Sequence, residues 1–582
     1  MSVAHLRAAA RRSGRAEIVR PGHRNPQSDR VSLSPRLPRA ENPLMPEATK
    51  HDTASDASSS NGSSAPAPSV EVFAVYGAEP EVQAYAMAKY SRSALSMKES
   101  LKEISQQKAE KFLNTFYFQY GHRSIADLAH IALAIERLSI LAAIAVADEQ
   151  RWDGQERSTR YQDFQKSGYY TPDFGGDDRA QTLYQQAMRD LFAEYQALSE
   201  TMFQHLMDIT PKPDDMKLEA YQRTLRARAF DISRYLLPLA TNTSLGEIVN
   251  ARTLENQVSH LLAHTHKEVR VLGELLKRAA TSPAYNVNHE SLAKLVEQIR
   301  AVSPELAMRA EQELLREVRV APTLVKYADP NRYEIETRRE LRQAAAELLG
   351  RTTMDAAGLV DLLDDEPLEV ELAATLLYEH SHYPYRQIRM AVAAAGEKLR
   401  AEIIDLGMRH RGKHDELPRA FCAGQQFRFD ILMDIGGFRD MHRHRRCIQI
   451  GQDFTTAHGY DVPDELEAAR VRPRYDAAMD RAAASAGQLT RRATEREGSA
   501  GNGWIAPAAQ YAIPLGFRKR TLFKMDFAEV VYISELRTGP AGHISYRRVA
   551  HAMYEAVARK YPALARYFRV HDVHEPVDLL KR

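Results

Sequence analysis

The sequence predicts a helix-rich α+β chain built as two tandem copies of one domain behind an unstructured tail. Three observations lead there. By hydrophobic spacing, helical segments outnumber strand-like ones by about three to one. A series of landmarks occurs twice in the same order, roughly 260 to 290 residues apart, a period far too long for a solenoid. The stretch 51–69 (HDTASDASSSNGSSAPAPS) is Ser/Ala/Pro low complexity, which cannot bury enough apolar surface to offset its ordering entropy.

The elements follow in order. Residues 1–69 read as a disordered tail. Its first forty residues are rich in Arg and poor in acids, which mimics a transit peptide. A tail without a targeting role is favoured, and a true translation start at Met45 is the bland alternative. EVFAVYG (71–77) reads as a short strand, and 80–115 has helical spacing. From Ser124 to Ala147 the residues Ile125, Leu128, Ile131, Ile135, Leu138 and Ala142 recur at three- and four-residue steps, which predicts one core helix. Helices are expected at 180–206, 216–230 and 250–280, with Pro238 and Asn242 marking a loop, and a long polar helix at 288–316. The second copy is expected to carry helices at 335–349, 369–378, 384–402 and 463–496. Strands are expected at 426–435 and 521–533, and a last helix at 544–560. The domains are therefore placed at 70–320 and 321–582.

The paired landmarks are specific residues. Tyr120-Gly121-His122-Arg123-Ser124 matches Tyr378-Glu379-His380-Ser381-His382, and Leu237-Pro238-Leu239 matches Ile513-Pro514-Leu515. Between them each copy has an Arg-bearing motif and a long helical insert.

Composition narrows the function. With 582 residues the chain holds more than one core. A net charge of +2 gives no global field for nucleic acid, and no apolar run reaches membrane-spanning length. Two cysteines, Cys422 and Cys447, exclude a disulfide framework and a cysteine zinc site, and fit a reducing cytosol.

Two segments carry chemistry. In the first, Glu156, Ser158 and Arg160 alternate after the turn-like Asp153-Gly154, so an extended backbone points all three one way. A carboxylate, a hydroxyl and a guanidinium together suit a polar ligand with an anionic end. In the second, His442-Arg443-His444-Arg445-Arg446 is the densest cationic cluster of the chain. It reads as a phosphate cradle, as a His-x-His metal site completed by Asp440, or as a solvated patch. A nucleic-acid patch is disfavoured, because no basic stripe continues around it. Asn250, Arg252 and Asn256 lie around a predicted helix start, where an anion is favoured. Arg234 precedes the Leu-Pro-Leu turn, and Arg537 precedes the last helix.

Together these pieces resemble the flavin-dependent thymidylate synthases, in duplicate. That family carries R-H-R, a spacer and E-x-S-x-R-Y. Here the later copy keeps Arg443-His444-Arg445, and the earlier keeps Glu156-Arg157-Ser158-Thr159-Arg160-Tyr161. The resemblance implies two domains of the thymidylate-synthase-complementing type forming a pseudo-dimer. It also implies FAD as cofactor, NADPH and methylenetetrahydrofolate as co-substrates, and conversion of dUMP to dTMP without an enzyme cysteine. It makes Glu156, Ser158, Arg160, Arg234 and Arg443 the dUMP set, and Arg537 the activating residue. The flavin set is Ser124, Asn250, Arg252 and Asn256 with Arg443, His444 and Arg445. No metal ligand is assigned. In the first copy Asp148-Glu149-Gln150 stand in place of R-H-R and Leu261 near that of the activating Arg. In the second, Gly451, Asp453 and Thr455 replace Glu, Ser and Arg, and Met525-Asp526-Phe527 replace Asn-Ala-Arg. Asp440 stands where a Gln is expected and His382 where a Ser is expected. The losses are complementary, so the expectation is one composite site between unlike halves, one dead site, and a homodimer that mimics the family's tetramer.

Overall fold

The computed structural model describes residues 77–89, 123–350, 352–412, 415, 417–497, 504–576 and 578–580. Those from Ala78 on belong to one compact unit, and Gly77 belongs to another. The expected tail, the 71–76 part of the expected strand, the 90–115 part of the expected helix and Tyr120–His122 lie outside the described residues.

The same topology occurs twice. After helix α1 (Pro80–Lys89), the first series is β1 (His130–Ser139), α2 (Ile140–Ala147), β2 (Trp152–Glu156), α3 (Asp178–Ile209) and α4 (Leu218–Ser233). It continues with β3 (Asn242–Asn250), α5 (Ala251–Leu262) and α6 (Lys267–Thr281). Helices α7 (His289–Arg300), α8 (Pro304–Leu314) and α9 (Arg332–Leu349) follow, then β4 (Val360–Leu362), α10 (Leu368–Tyr378), α11 (Tyr385–Ala394) and α12 (Gly396–Met408). The second series is β5 (Phe427–Asp434), α13 (Ile435–Met441), β6 (Ile448–Gly451), α14 (Arg472–Glu497), β7 (Arg518–Met525), α15 (Phe527–Thr538) and α16 (Ile544–Lys560). One antiparallel sheet has the order β1-β3-β2. The other has β4-β5-β7-β6, so the third strand of each series is paired on both edges.

Equivalent corners carry equivalent caps. Ser139 accepts from the Ala142 amide at 3.0 Å, and Asp434 from the Gly437 amide at 2.6 Å. Asn250 accepts from Thr253 at 2.9 Å and Asp526 from Glu529 at 2.9 Å. Each satisfies an orphan amide at a helix start and contributes about 1 kcal/mol.

The two proline turns pair with each other. Pro238 and Pro514 form an antiparallel bridge. The Leu239 amide donates to Ile513 O, and the Leu515 amide to Leu237 O, both at 2.9 Å. Such reciprocity is the mark of an isologous contact between two equivalent units. The long helices α3 and α14 pack alongside, joined by Arg474–Glu194 at 2.6 Å and Arg492–Asp177 at 2.7 Å. One apolar core spans both series here: Leu237, Leu239 and Tyr195 share it with Tyr475, Met479, Ile513 and Leu515.

Several expected boundaries differ. The single helix over Ser124–Ala147 is instead a 3₁₀ turn (Arg123–Leu128), strand β1 and helix α2. A β-bulge lies between Glu136 and Leu138, with Arg137 at φ 62°. The extra residue puts buried Ile135 and Leu138 three apart, which imitates a helical step. The expected loop at Asn242 opens β3, where Thr243, Leu245, Glu247 and Val249 alternate inward. The expected strand 521–533 ends at Met525, because Asp526 caps helix α15. The helices expected at 250–280, 288–316 and 384–402 are each two helices. The helix at 544–560 lies where it was expected.

Candidate active site

Helix α13 leaves β5 at a buried Asp434 and carries Arg439 and Asp440 toward the first series. Arg439 Nη2 donates to Glu156 Oε1 at 2.5 Å, and its Nη1 to Thr159 Oγ1 at 3.4 Å. Asp440 Oδ2 lies 3.6 Å from Arg234 Nη1. Burial opposes the charge of Asp440, yet Arg234, Arg160, Arg443 and Arg537 around it hold its carboxyl below the usual carboxylate range. Two of those arginines come from the first series and two from the second. Residues of both retained sets thus act on one carboxylate within a single chain.

Each arginine is held differently. Arg160 is buried and grips Asp231 with two bonds, Nε to Oδ1 at 2.8 Å and Nη2 to Oδ2 at 3.2 Å. Burial opposes its charge, and Asp231 more than restores it. Its Nη1 donates to Tyr546 Oη at 3.0 Å. Tyr546 then serves a second cation: the Arg537 guanidinium lies 5.5 Å from its ring centre and that of Arg160 5.7 Å. Arg537 Nε donates to His444 Nε2 at 2.7 Å. Since His444 Nε2 accepts there, its proton belongs on Nδ1, which faces Glu529 Oε1 at 3.5 Å. Burial lowers the pKa of His444 from the ordinary value, with the Glu529 hydrogen bond opposing. Arg234 is 2% exposed, and its Nε and Nη2 are buried without a hydrogen-bond partner. Two desolvated, unpaired donors on one guanidinium are costly unless an anion or water completes them.

The expected residues divide. Glu156, Arg160, Arg234, Arg443 and Arg537 gather at this corner, with Ser158 beside Arg160, whose amide it accepts at 3.2 Å. Only Glu156 of the alternating trio lies in a strand. The chain turns after it, so Glu156 and Arg160 reach different partners rather than sharing one extended face. His444 is committed to protein partners. Arg445 pairs with Asp153 at 2.8 Å and lies over Trp152, and Arg443 is exposed. Ser124, Asn250, Arg252 and Asn256 form another group. Arg252 Nη1 is 3.3 Å from Asp127, in the turn that holds Ser124. Asn250 spends its side-chain oxygen on the helix cap, which leaves its amide nitrogen as the donor it can offer a ligand. Strand β3, roughly 25 Å long at 3.3 Å per residue, separates this group from the Pro238 turn. The caps also set the register: Asn250 matches Asp526, one residue on from the expected match to Met525, and Leu261 then matches Arg537. Sequence reasoning missed Asp231, Arg439, His543 and Tyr546. Asp231 is one turn before Arg234 on the same run, the one local signal that pointed to it.

The symmetric counterpart has other chemistry. Gln510 stands in the place of Arg234, and Asp453, Thr455 and Lys519 line the corner with His264, His266, His382 and His458. Asp453 pairs with Arg342 at 2.6 Å. Burial opposes its charge, but Arg342, His382 and Lys519 hold it down to about 2. Burial pushes Lys519 down to about 8 and His266 to about 4. Equivalent contacts persist: His266 meets Tyr511 at 5.5 Å and His543 meets Tyr235 at 5.7 Å. The loop Asp148–Gln150 faces the cationic cluster, with Asp148 at 3.1 Å from His442 and Gln150 Nε2 donating to Cys447 O at 2.9 Å.

The model of the family described as thymidylate synthase complementing protein matches residues 73–283 and again 358–563, together more than half of the chain. The chain belongs to that family. It holds two copies of the family segment in tandem. A UPF0159 protein of Chlamydia pneumoniae is 27% identical over 538 residues, 88% of this chain and 93% of the relative. A UPF0159 protein of Thermoplasma acidophilum is 24% identical over 499 residues, 80% of this chain and 89% of the relative. A flavin-dependent thymidylate synthase of Clostridium tetani is 25% identical over 186 residues, 32% of this chain and 71% of the relative. Among solved structures, a UMP/dUMP methylase from Streptomyces cacaoi bound with 5-Br dUMP is 18% identical. Its TM-score is 0.24, over 34% of this chain and 84% of its own. Thymidylate Synthase X from Helicobacter pylori with FAD and dUMP is 15% identical, with a TM-score of 0.24, over 34% and 88%.

Proposed function

We propose that this chain is a flavin-dependent thymidylate synthase that converts dUMP to dTMP with FAD, NADPH and methylenetetrahydrofolate, at one composite site between its unlike halves. The observation that carries the reading is the corner at Asp440, where Arg160 and Arg234 of one half meet Arg443 and Arg537 of the other. The unpartnered Nε and Nη2 of buried Arg234 suit an anionic ligand there. Arg160, Arg234 and Arg443 bind the nucleotide phosphate, with Glu156 and Ser158 completing the dUMP set. Arg537 keeps its two amino nitrogens for the pyrimidine carbonyl, because only its Nε is spent on His444. Charge that develops on that carbonyl is then met by a fixed cation. FAD, when bound, supplies the hydride that completes the methyl group. Arg443 and His444 lie on the flavin side, with Arg445 behind them. The domain boundary falls at 320/321, between the two family segments. Ser124, Asn250, Arg252 and Asn256, a strand's length away, serve a flavin whose site a second copy of the chain completes, so the working form is a cytoplasmic homodimer.

Asp440 favours a second reading. A carboxylate where an amide is expected accepts but does not donate, which suits a related flavoenzyme on another nucleotide. The test is the visible spectrum of the purified protein before and after dUMP, followed by product analysis with NADPH and methylenetetrahydrofolate. Flavin bands that shift with dUMP, and dTMP as product, support the first reading. Methylation of a different nucleotide selects the second. Bound flavin without NADPH oxidation leaves a nucleotide-binding regulator.

A further inference from the structure

Outside the composite site, the described residues hold one grouping of three side chains with metal-ligating geometry: His551, Glu555 and His574, whose ligand atoms all lie within 4.8 Å of one another. Two of them are one turn apart on α16, so both project from the same face. His551 Nδ1 is 3.5 Å from Glu555 Oε1, and the other carboxylate oxygen is backed by Arg559 at 3.9 Å. One oxygen is thereby turned toward the imidazole, and the second faces the exposed Arg559 guanidinium.

The third side chain arrives on the C-terminal segment, and that segment is fixed by contacts of its own. The Arg569 amide donates to Glu535 Oε1 at 2.9 Å, and the His571 amide to Thr538 Oγ1 at 3.1 Å. Val573 is buried, and the His574 amide donates to Asp572 Oδ1 at 2.8 Å. The His574 ring then stands 5.8 Å from that of His551 at 87°. Tyr554 and Phe568, 5.2 Å apart, wall one side.

We propose that His551, Glu555 and His574 bind a divalent transition-metal ion, zinc fitting best, which fastens the C-terminal segment to α16. Two imidazoles and one carboxylate form a set that suits zinc. Magnesium and calcium prefer oxygen ligands throughout. Three protein ligands leave one position for water. His574 is exposed, so the ion has an entry path. The same helix carries Tyr546 at the arginine corner, about 7.5 Å along the axis from His551 at 1.5 Å per residue. Metal binding therefore braces the helix that positions Tyr546, while the ion itself takes no part in the chemistry there.

The experiment uses the full chain without an affinity tag, freed of metal by chelation and titrated with zinc chloride. One zinc per chain is expected, with slower hydrogen exchange over 566–576. H574A and H551A should each lose that equivalent, and E555Q should weaken it. H574A alters an exposed side chain, and its metal-free melting temperature should equal that of the metal-free parent, which separates lost binding from lost folding. No zinc uptake by the parent, or the same uptake by the H551A/H574A double variant, overturns the proposal. Neither outcome depends on thymidylate synthase activity.

Discussion

Where the first half presents Arg160 and Arg234 to the α13 corner of the second, the second half presents Thr455 and Gln510 to the α2 corner of the first. The backbone at the two places is alike: strand, side-chain cap, short helix, and a proline turn paired across the molecule. The side chains are not. One corner gathers Arg160, Arg234, Arg443 and Arg537 around Asp440, with Asp231 and Glu156 beside them. The other gathers neutral histidines, a lysine and an Asp453 that already has its own arginine. A fold repeated within one chain keeps its packing under shared constraint, because each proline turn needs the other. Its two ligand-facing surfaces are independent, so each half can lose what the other supplies.

The largest expected difference is in stability. Arg160 and Asp231 are each 9% exposed and bonded through two nitrogens. Asp231→Asn leaves a buried guanidinium short of its counter-charge and should cost about 3–5 kcal/mol, read from denaturant unfolding. Asp453→Asn breaks a pair exposed by 29% and 32%, where screening leaves about 0–1 kcal/mol. Equal losses from the two would show that the corners do not differ as described.

Ligand binding comes next. Arg234→Ala removes a buried donor set facing the site and should weaken nucleotide binding by about 2–5 kcal/mol, roughly thirtyfold to several thousandfold. Gln510→Ala at the counterpart should leave it unchanged. Titration of dUMP against the flavin spectrum measures both, and a matching loss in Gln510→Ala would mean that both corners bind nucleotide.

How much of this was legible in the sequence depends on which force set each feature. The duplication was visible, since cap, turn and helix residues repeat in order and the family segment matches twice. The arginine corner was visible through its motifs, and Arg160, Arg234, Arg443 and Arg537 meet there. Strand β1 was not, because its bulge at Arg137 gives apolar residues a helical step. Strand β3 was hidden by a loop-like Asn242 and by a buried Glu247, whose charge masks an alternating pattern. Burial pushes that carboxyl up to about 7, and Gln257 bonds it. Partners distant in sequence, such as Arg439 for Glu156 and Tyr546 for Arg160, follow from how the halves dock, which no local pattern encodes.

A positioning effect should be smaller than either loss above. Glu529, 4% exposed, fixes the His444 tautomer that accepts from Arg537. Glu529→Gln should lower kcat about tenfold, by analogy with outer-shell partners of ligating histidines, with little change in the KM for dUMP. A KM effect without a kcat effect would place Glu529 in binding instead.

The last difference is in acid response, where the two corners carry different titrating groups. Burial holds His543 at about 3 and His266 at about 4, so both stay neutral in the folded state while the unfolded chain takes protons below about 6.5. Stability from each is present above that value and falls with acid by about 1.4 kcal/mol per pH unit. At the start of the helix that His543 caps, however, Asp434, which accepts from Ser545 Oγ, is pushed up to about 7, by burial first and then by Asp461. A raised carboxyl acts oppositely: its contribution is complete below about 4 and lost as pH rises through 7. At the arginine corner the two effects cancel, and at the histidine corner Asp453, held to about 2, does not titrate in this range. H266N should therefore flatten the fall in stability between pH 6.5 and 5, by about 1.4 kcal/mol per unit. H543N should uncover Asp434 and make the protein more stable toward acid over the same range. Unfolding free energies of both variants at three pH values test this, and parallel profiles would show that Asp434 is ionised in the folded chain.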